Sequence, residues 1–566
     1  MFMQQTICKF VKPSISQHRT TSLLRSQWVR TLILATPLAL WPSLASAQFV
    51  ATGINLSGGT LTITGDAGSD TASVTLISGG ATIEARRSTG PIGGFRMTYP
   101  AASVQRIVFR GNAGNDTFTN NTTLPVDADG GDGDDTLTGG GGADYLVGNY
   151  GNDTLTGGAG ADVIFGSGGH DKIFGGSGND KLKGHGGNDE IHGDSGSDLV
   201  YGGSGVDLLD GGTSADTIVS IGGDRDTLLG GSSDDFLWAD SLDTLSDASP
   251  TEIGGAFVNV VTSFHGLSYD HGATSVTPAL DLTNFDLPDP TPELNDVGVY
   301  TLVNYSDVPL FSAVGPTAED VDQNEIGDCY TLGPISAVAA ATPDSIRKLV
   351  VDLDDGTYVV RFFGEEPGTP AHYVRVDADL YTKPNGDLPY AGFGNPGSLW
   401  VPIVEKALAF FRNDTGSYED ISGEGGASWL FMADKEIKVF GTYTGEQIVE
   451  WMGLGQPAGA TKNEVDTAVI ALLRWIDARQ AEGHPVYTNY RGSLSDSSAI
   501  ILGTNSNWRR ASHQVMVDRV LFDANGTPNG LIIRDQLYLG SSAYKTFHDF
   551  PRIYAFFGVA VKFRIP

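Results

Sequence analysis

The sequence predicts a multidomain protein in which a glycine-rich β region, built on a nine-residue repeat, precedes an α+β region large enough for an enzymatic core. Three observations predict it. The chain has 566 residues, several times a single folding core. Its 75 glycines are concentrated in one periodic stretch. From about Pro316 to Pro566 the texture changes to helix-like and strand-like segments that hold most of the tryptophan.

Charge narrows the partners. Asp plus Glu total 68 against 35 Lys plus Arg, a formal net charge of -33, which disfavours nucleic acid and anionic membrane surfaces and favours cations. The first 47 residues run against this balance, with Lys9, Lys12, Arg19, Arg25 and Arg30 and no acidic side chain. An apolar run from Leu32 to Trp41 follows, too short to span a bilayer and broken by Pro37. It ends in Ala45-Ser46-Ala47, small residues with the spacing a signal peptidase needs. We therefore expect residues 1–47 to be a signal peptide, with an extracellular, secreted product and no membrane span. Of the two cysteines, Cys8 lies in that segment, so Cys329 would be the single thiol of the mature chain and no intrachain disulfide could form.

Residues 48–129 read as short strands and turns, as in Leu61-Thr62-Ile63-Thr64, and carry no catalytic pattern. From Gly130 to Val219 the chain resolves into ten consecutive nine-residue units. The sixth residue of every unit is aspartate: Asp135, Asp144, Asp153, Asp162, Asp171, Asp180, Asp189, Asp198, Asp207 and Asp216. The eighth is always aliphatic, from Leu137 to Ile218, and the fourth is glycine except for Ser214. This pattern, Gly-Gly-x-Gly-x-Asp-x-aliphatic-x, resembles the RTX (hemolysin-type) nonapeptide repeat, and the resemblance implies a parallel β-roll that binds Ca2+.

Elementary chemistry agrees with that implication. A short strand around each aliphatic residue can point one side chain inward, while the glycines permit the turns that carry aspartate and backbone oxygens, which suit calcium. Two units per coil give five coils stacked at roughly 4.8 Å. Each ion would lie between the turns of successive coils on one edge, bridging Asp135 with the turn eighteen residues on, and so along the roll. One inward aliphatic residue per nine cannot offset chain entropy, so metal must supply the difference. Beyond Val219 the spacing lapses through Gly222 and Gly230 to Trp238, and a terminal cap is expected there, closing an RTX region of 130–240. Residues 241–315, with Leu287-Pro288-Asp289-Pro290-Thr291-Pro292, read as a connector.

The remaining segment, 316–566, is organised around the thiol. Cys329 follows Gln323-Asn324-Glu325-Ile326-Gly327-Asp328 and precedes an apolar, small-residue stretch expected to be helical. At a helix N-terminus the free backbone amides favour the thiolate. His513 opens an alternating run, Ser512 to Val517. After the turn-rich Asp523-Ala524-Asn525-Gly526, a second strand runs Leu531 to Asp535. A hairpin centred near Ala524 would set His513 opposite Asp535. These segments resemble the calpain family of papain-like cysteine peptidases, whose motif runs Gln-Gly-x-x-Gly-Asp-Cys-Trp. Leu399 to Ala407 and Gly416-Ser417-Tyr418 extend the likeness as scaffold, with Trp400 in the core. The resemblance implies an α+β papain-like domain with Cys329 as nucleophile, His513 as general base and acid, Asp535 as orienting residue and Gln323 as oxyanion donor, acting on a protein or peptide substrate. The chain departs from the family in having Asn324 where glycine is usual, Tyr330 for tryptophan, and Asp535-Gln536-Leu537-Tyr538 for Asn-Pro-Trp-Gly. Three readings follow: a secreted calcium-binding cysteine endopeptidase, a non-catalytic calcium-dependent surface or adhesion protein with a degenerate peptidase domain, and a transglutaminase-like acyltransferase.

Overall fold

The computed structural model describes residues 53–89, 94–222, 224–254, 257–264, 287–292, 300–322, 324, 329–362, 371–394, 397–412, 418, most of 470–481, and 487–491, 512–534 and 544–547. The expected export segment, 1–47, lies outside the described residues.

Residues 54–261 form a solenoid of two eleven-stranded sheets. Within the repeats successive strands pass to alternate sheets, so each strand lies parallel to the one eighteen residues away: Leu146 pairs with Ile164 in one sheet and Leu155 with Ile173 in the other. The eighth residue of every nonapeptide, Leu137 through Ile218, is fully buried, and together they make the single apolar column between the sheets. This is the strand-per-unit arrangement that the nine-residue period predicts, because a two-residue side-chain alternation leaves room for one inward residue in each short strand.

The column extends in both directions. Thr60–Thr64 stacks parallel on Arg106–Ala113, and Asp70–Ile77 on Thr117–Asn121, so strands from the 48–129 segment stand in the same two sheets as the repeats. An antiparallel meander, Asp70–Ile77, Thr82–Thr89 and Phe95–Pro100, ends one sheet. At the other end the expectation of a cap beginning after Val219 is corrected. Stacking persists through Thr227–Leu229, Phe236–Asp240 and Val258–Val261, with Leu209 paired to Leu228 and Ile218 to Leu237. One inserted residue raises the step from 18 to 19 without breaking the ladder, because a turn absorbs the extra residue while the strands keep their face.

The C-terminal region is α+β with few helices. An antiparallel sheet, Val350–Asp352, Thr357–Phe362 and His372–Asp377, packs against the helix Trp400–Arg412. That helix is buried almost all round. Its Trp400 donates from Nε1 to Asp320 Oδ2 at 3.0 Å, and its fully buried Lys406 donates to Asp289 Oδ1 (2.6 Å), Asp377 Oδ1 (2.6 Å) and the Asp379 carbonyl (2.7 Å). A second helix, Cys329–Ala341, buries Leu332, Ile335, Ala337 and Val338 in the same core and packs against a four-stranded antiparallel sheet in the order 487–491, 512–522, 528–534, 544–547.

The solenoid and this region share an interior. Tyr201, Val219, Trp238, Val261 and Phe264 of the former cluster with Val351, Val359 and Tyr373 of the latter. Trp238 is fully buried and meets Tyr373 edge to face at 6.4 Å. Polar contacts reinforce the seam, since Lys183 pairs with Asp354 and Arg361 Nη1 donates to Asn259 Oδ1 at 2.8 Å. Among the described residues no helix is long and apolar enough to cross a membrane.

Candidate calcium and catalytic sites

The aspartates of the repeat are buried; all ten are at most 3 % exposed. Each is held by its own backbone neighbour one coil away. Asp135 N–H donates to Asp153 Oδ1 (2.7 Å), Asp153 N–H to Asp171 Oδ1 (2.7 Å), and Asp171 N–H to Asp189 Oδ1 (2.8 Å). On the opposite edge Asp144, Asp162, Asp180, Asp198 and Asp216 repeat the pattern with the same eighteen-residue step. These two files of carboxylates run along the two edges of the solenoid.

Only one oxygen of each carboxylate is used. Oδ2 of every ladder aspartate from Asp135 to Asp235 is buried without a hydrogen-bond partner, an arrangement that costs several kcal/mol per ion in a protein interior unless a cation is supplied, of order the desolvation penalty for a buried charge. The orphan oxygen faces the first glycine of its own unit. A Cβ on Gly175 would lie 2.6 Å from Asp180 Oδ2 and 2.8 Å from the Gly193 carbonyl oxygen, one coil on. Glycine is thus required because two oxygens converge where a side chain would stand. The donors are a carboxylate and a backbone carbonyl, the hard oxygen set that calcium prefers. Among the described residues no three His, Cys, Asp or Glu side chains converge, so a cation held here would rely on backbone carbonyls as well as carboxylates.

The electrostatics carry the same sign. Burial, with the neighbouring carboxylates adding to it, pushes Asp144, Asp153, Asp189 and Asp198 up to about 7 and Asp216 up to about 8. Two further members, Asp226 and Asp235, were not singled out by the repeat count, yet they carry the same orphan oxygen and are pushed up to about 8 and about 7 by burial. Their signal was legible: Gly230-Gly231-Ser232-Ser233-Asp234-Asp235-Phe236-Leu237-Trp238 has aspartate sixth and leucine eighth, one residue out of phase.

The thiol stands elsewhere. Cys329 is the first residue of the helix Cys329–Ala341 and His513 the second residue of the strand Ser512–Phe522. Helix and strand are in contact: Ser336 Oγ lies 3.6 Å from Met516 Sδ, both buried. Cys329 lies two helical turns before Ser336, about 10 Å at ~1.5 Å per residue. His513 lies three residues before Met516, again about 10 Å at ~3.4 Å per residue. In the sheet, His513 is paired with Tyr490.

The hairpin register differs from the expectation. Met516 pairs with Arg534 and Val517 with Ile533, which centres the turn on Asn525 rather than Ala524 and shifts the partner strand by two residues. The reason is local. Asp523 N–H donates to the Thr527 carbonyl and Gly526 N–H to the Asp523 carbonyl, with Gly526 at φ +74°, so the loop closes one residue later. A bulge between Val517 and Arg519 is held by Gln480 Nε2, which donates to the Val517 and Asp518 carbonyls. Asp535 and Gln323 lie outside the described residues. The residues flanking Gln323 are pinned: the Asp322 carbonyl accepts from Gly392 N–H (2.9 Å), and Asn324 Nδ2 donates to the Leu388 carbonyl (2.9 Å). Asn324, where the resembled family has glycine, therefore has a structural bond of its own.

Comparison with known proteins covers the repeats and the first part of the C-terminal region. Residues 128–149, 147–182, 183–218 and 221–241 match the RTX calcium-binding nonapeptide repeat, and residues 302–434 match the calpain family cysteine protease model. A 125-residue stretch is 31 % identical to the calpain-2 catalytic subunit of Gallus gallus, covering 20 % of this chain and 16 % of that protein. The chain thus spans about a sixth of the length of the curated relative it matches. The chain joins RTX calcium-binding nonapeptide repeats, folded as a parallel β-solenoid, to a segment that is similar to the calpain family of cysteine proteases.

Proposed function

We propose that the protein is a secreted, calcium-ordered cysteine endopeptidase. The observation that carries this reading is the packing of the helix begun by Cys329 against the strand that carries His513, with both residues about equally far back from the Ser336–Met516 contact. In this reading the helix amides stabilise the Cys329 thiolate, which attacks a peptide carbonyl. Gln323 donates to the oxyanion. His513, as imidazolium, gives its proton to the leaving amine, and then takes one from the water that hydrolyses the thioester, returning the thiolate. Asp535 orients the ring.

Calcium belongs to the roll. The ten aspartates from Asp135 to Asp216 are read as its ligands, with the buried, unpartnered Oδ2 atoms as support. Bound calcium would neutralise the stacked carboxylates and order the solenoid against which the peptidase region packs. Export fits this coupling, because a roll that is poorly ordered at low calcium becomes ordered where calcium is abundant.

The test is cleavage of an unfolded protein by purified full-length chain in calcium, with an alkylating thiol probe read by mass spectrometry. Cys329→Ala should abolish both cleavage and labelling at that position while leaving calcium binding intact. Absence of cleavage by the unaltered protein, with no labelling of Cys329 under reducing conditions, would overturn the enzymatic reading, and amine incorporation without hydrolysis would replace it with acyl transfer.

A further inference from the structure

The file of orphan oxygens does not begin where the repeats do. Gly111-Asn112-Ala113-Gly114-Asn115-Asp116-Thr117-Phe118-Thr119 lies before residue 128, where the matched repeats start, and has glycine first and fourth, aspartate sixth and an apolar residue eighth. The second glycine is replaced by Asn112, which nevertheless takes the left-handed conformation, φ +82°. Asp116 is 1 % exposed and its N–H donates to Asp135 Oδ1 at 2.7 Å, continuing the edge formed by Asp135, Asp153 and Asp171. Its Oδ2 is buried without a partner, and a Cβ on Gly111 would collide with that oxygen and with the Gly130 carbonyl. Every structural feature of a ladder site is present.

One coil earlier the pattern recurs in Gly65-Asp66-Ala67-Gly68-Ser69-Asp70-Thr71-Ala72-Ser73, where Asp70 N–H donates to Asp116 Oδ1 at 2.6 Å. Here the cation is already supplied. The buried Arg87 guanidinium meets Asp70 through Nε to Oδ1 (3.2 Å) and Nη2 to Oδ2 (3.4 Å), and reaches Asp66 Oδ2 at 3.1 Å. The other edge ends differently at the same height: Asn120 Nδ2 donates to the Gly139 carbonyl at 2.6 Å, an amide standing against the carbonyl that opens that row.

We propose that the row of calcium sites extends beyond the matched repeats to Asp116 and the Gly130 carbonyl, and stops there because Arg87, a cation tethered to the chain, occupies the next position at Asp70. The proposal rests on the reading of the ladder aspartates as calcium ligands, and the test separates the two. Calcium bound per chain is measured on the full-length protein by equilibrium dialysis with elemental analysis, together with the calcium dependence of its β circular-dichroism signal. Asp171→Asn, in the middle of the matched repeats, should lower the stoichiometry by one, and Asp116→Asn should do the same. Arg87→Gln should raise it by one, and Arg87→Lys should leave it unchanged, which also keeps a folded comparison should the glutamine variant not fold. A loss with Asp171→Asn but none with Asp116→Asn overturns the proposal alone; no loss with either overturns the ladder reading itself. An unaltered stoichiometry in a folded Arg87→Gln protein rejects the tethered-cation half.

Discussion

Replacing Trp238 with alanine should uncouple the peptidase region from the calcium-ordered roll. Trp238 comes from a solenoid strand but is buried in the shared cluster with Val351, Val359 and Tyr373. Removing a buried tryptophan costs about 3–5 kcal/mol, of which the edge-to-face pair with Tyr373 accounts for about 0.5–1.5 kcal/mol. The indole Nε1 has no hydrogen-bond partner, and deleting that desolvated donor returns about 1–3 kcal/mol. The net expectation is a loss of about 2 kcal/mol, while Trp238→Phe, which keeps an aromatic ring and removes the donor, should cost less. The assay follows urea unfolding at a series of calcium concentrations with two probes, circular dichroism for the roll and pulsed hydrogen exchange of the buried helix Trp400–Arg412 for the C-terminal region. In the unaltered protein the two transitions should move together as calcium is raised. In Trp238→Ala, exchange of the Trp400–Arg412 helix should come at lower urea and lose its calcium dependence, with the roll transition retained. Exchange midpoints that still track calcium in the alanine variant would show that the seam carries no coupling.

Two other outcomes follow from the buried charges. The ladder carboxylates, raised by burial from the ordinary value near 4 to about 7 or 8 at Asp144, Asp153, Asp216 and Asp226, bind more protons in the folded roll than in the unfolded chain. The metal-free roll should therefore lose stability as pH rises from about 4 to about 8, whereas calcium, competing with those protons, should bind more tightly across the same interval and release protons as it does. Calorimetric titrations at pH 5.5 and 8 in buffers of different ionisation enthalpy check this, and equal affinities with no proton release would contradict it. In the C-terminal region, Lys406→Met should destabilise by about 3–5 kcal/mol in denaturant unfolding, because the buried Asp377 and the partly buried Asp289 would be left without their cation. A cost below about 1 kcal/mol would mean that water reaches those carboxylates in the unaltered fold.

Much of this molecule is written in short-range order. The nine-residue period of aspartate and aliphatic residues determines strand, turn and inward column by itself, since each unit repeats the same local choice and contacts only the units beside it. The helix after Cys329 and the turn at Asp523–Gly526 are likewise local, marked by small apolar residues in one case and by turn formers in the other. What period counting could not supply is how far the pattern reaches once its spacing slips. Asp70 and Asp116 stand 46 residues apart in sequence but adjacent in the stack, because a β meander is inserted between them, and only the stacked backbone reveals that they share a file. The bulge in the strand that carries His513 is likewise beyond local reading, since it is held by Gln480, a side chain from a distant segment. The burial of Trp238 against Tyr373 depends on two surfaces meeting from segments 135 residues apart in sequence. Local spacing determines which residues can make a strand or a turn; long-range packing alone decides which of those strands become neighbours, and so where oxygens without partners gather and where a cation of the chain takes the place of an ion.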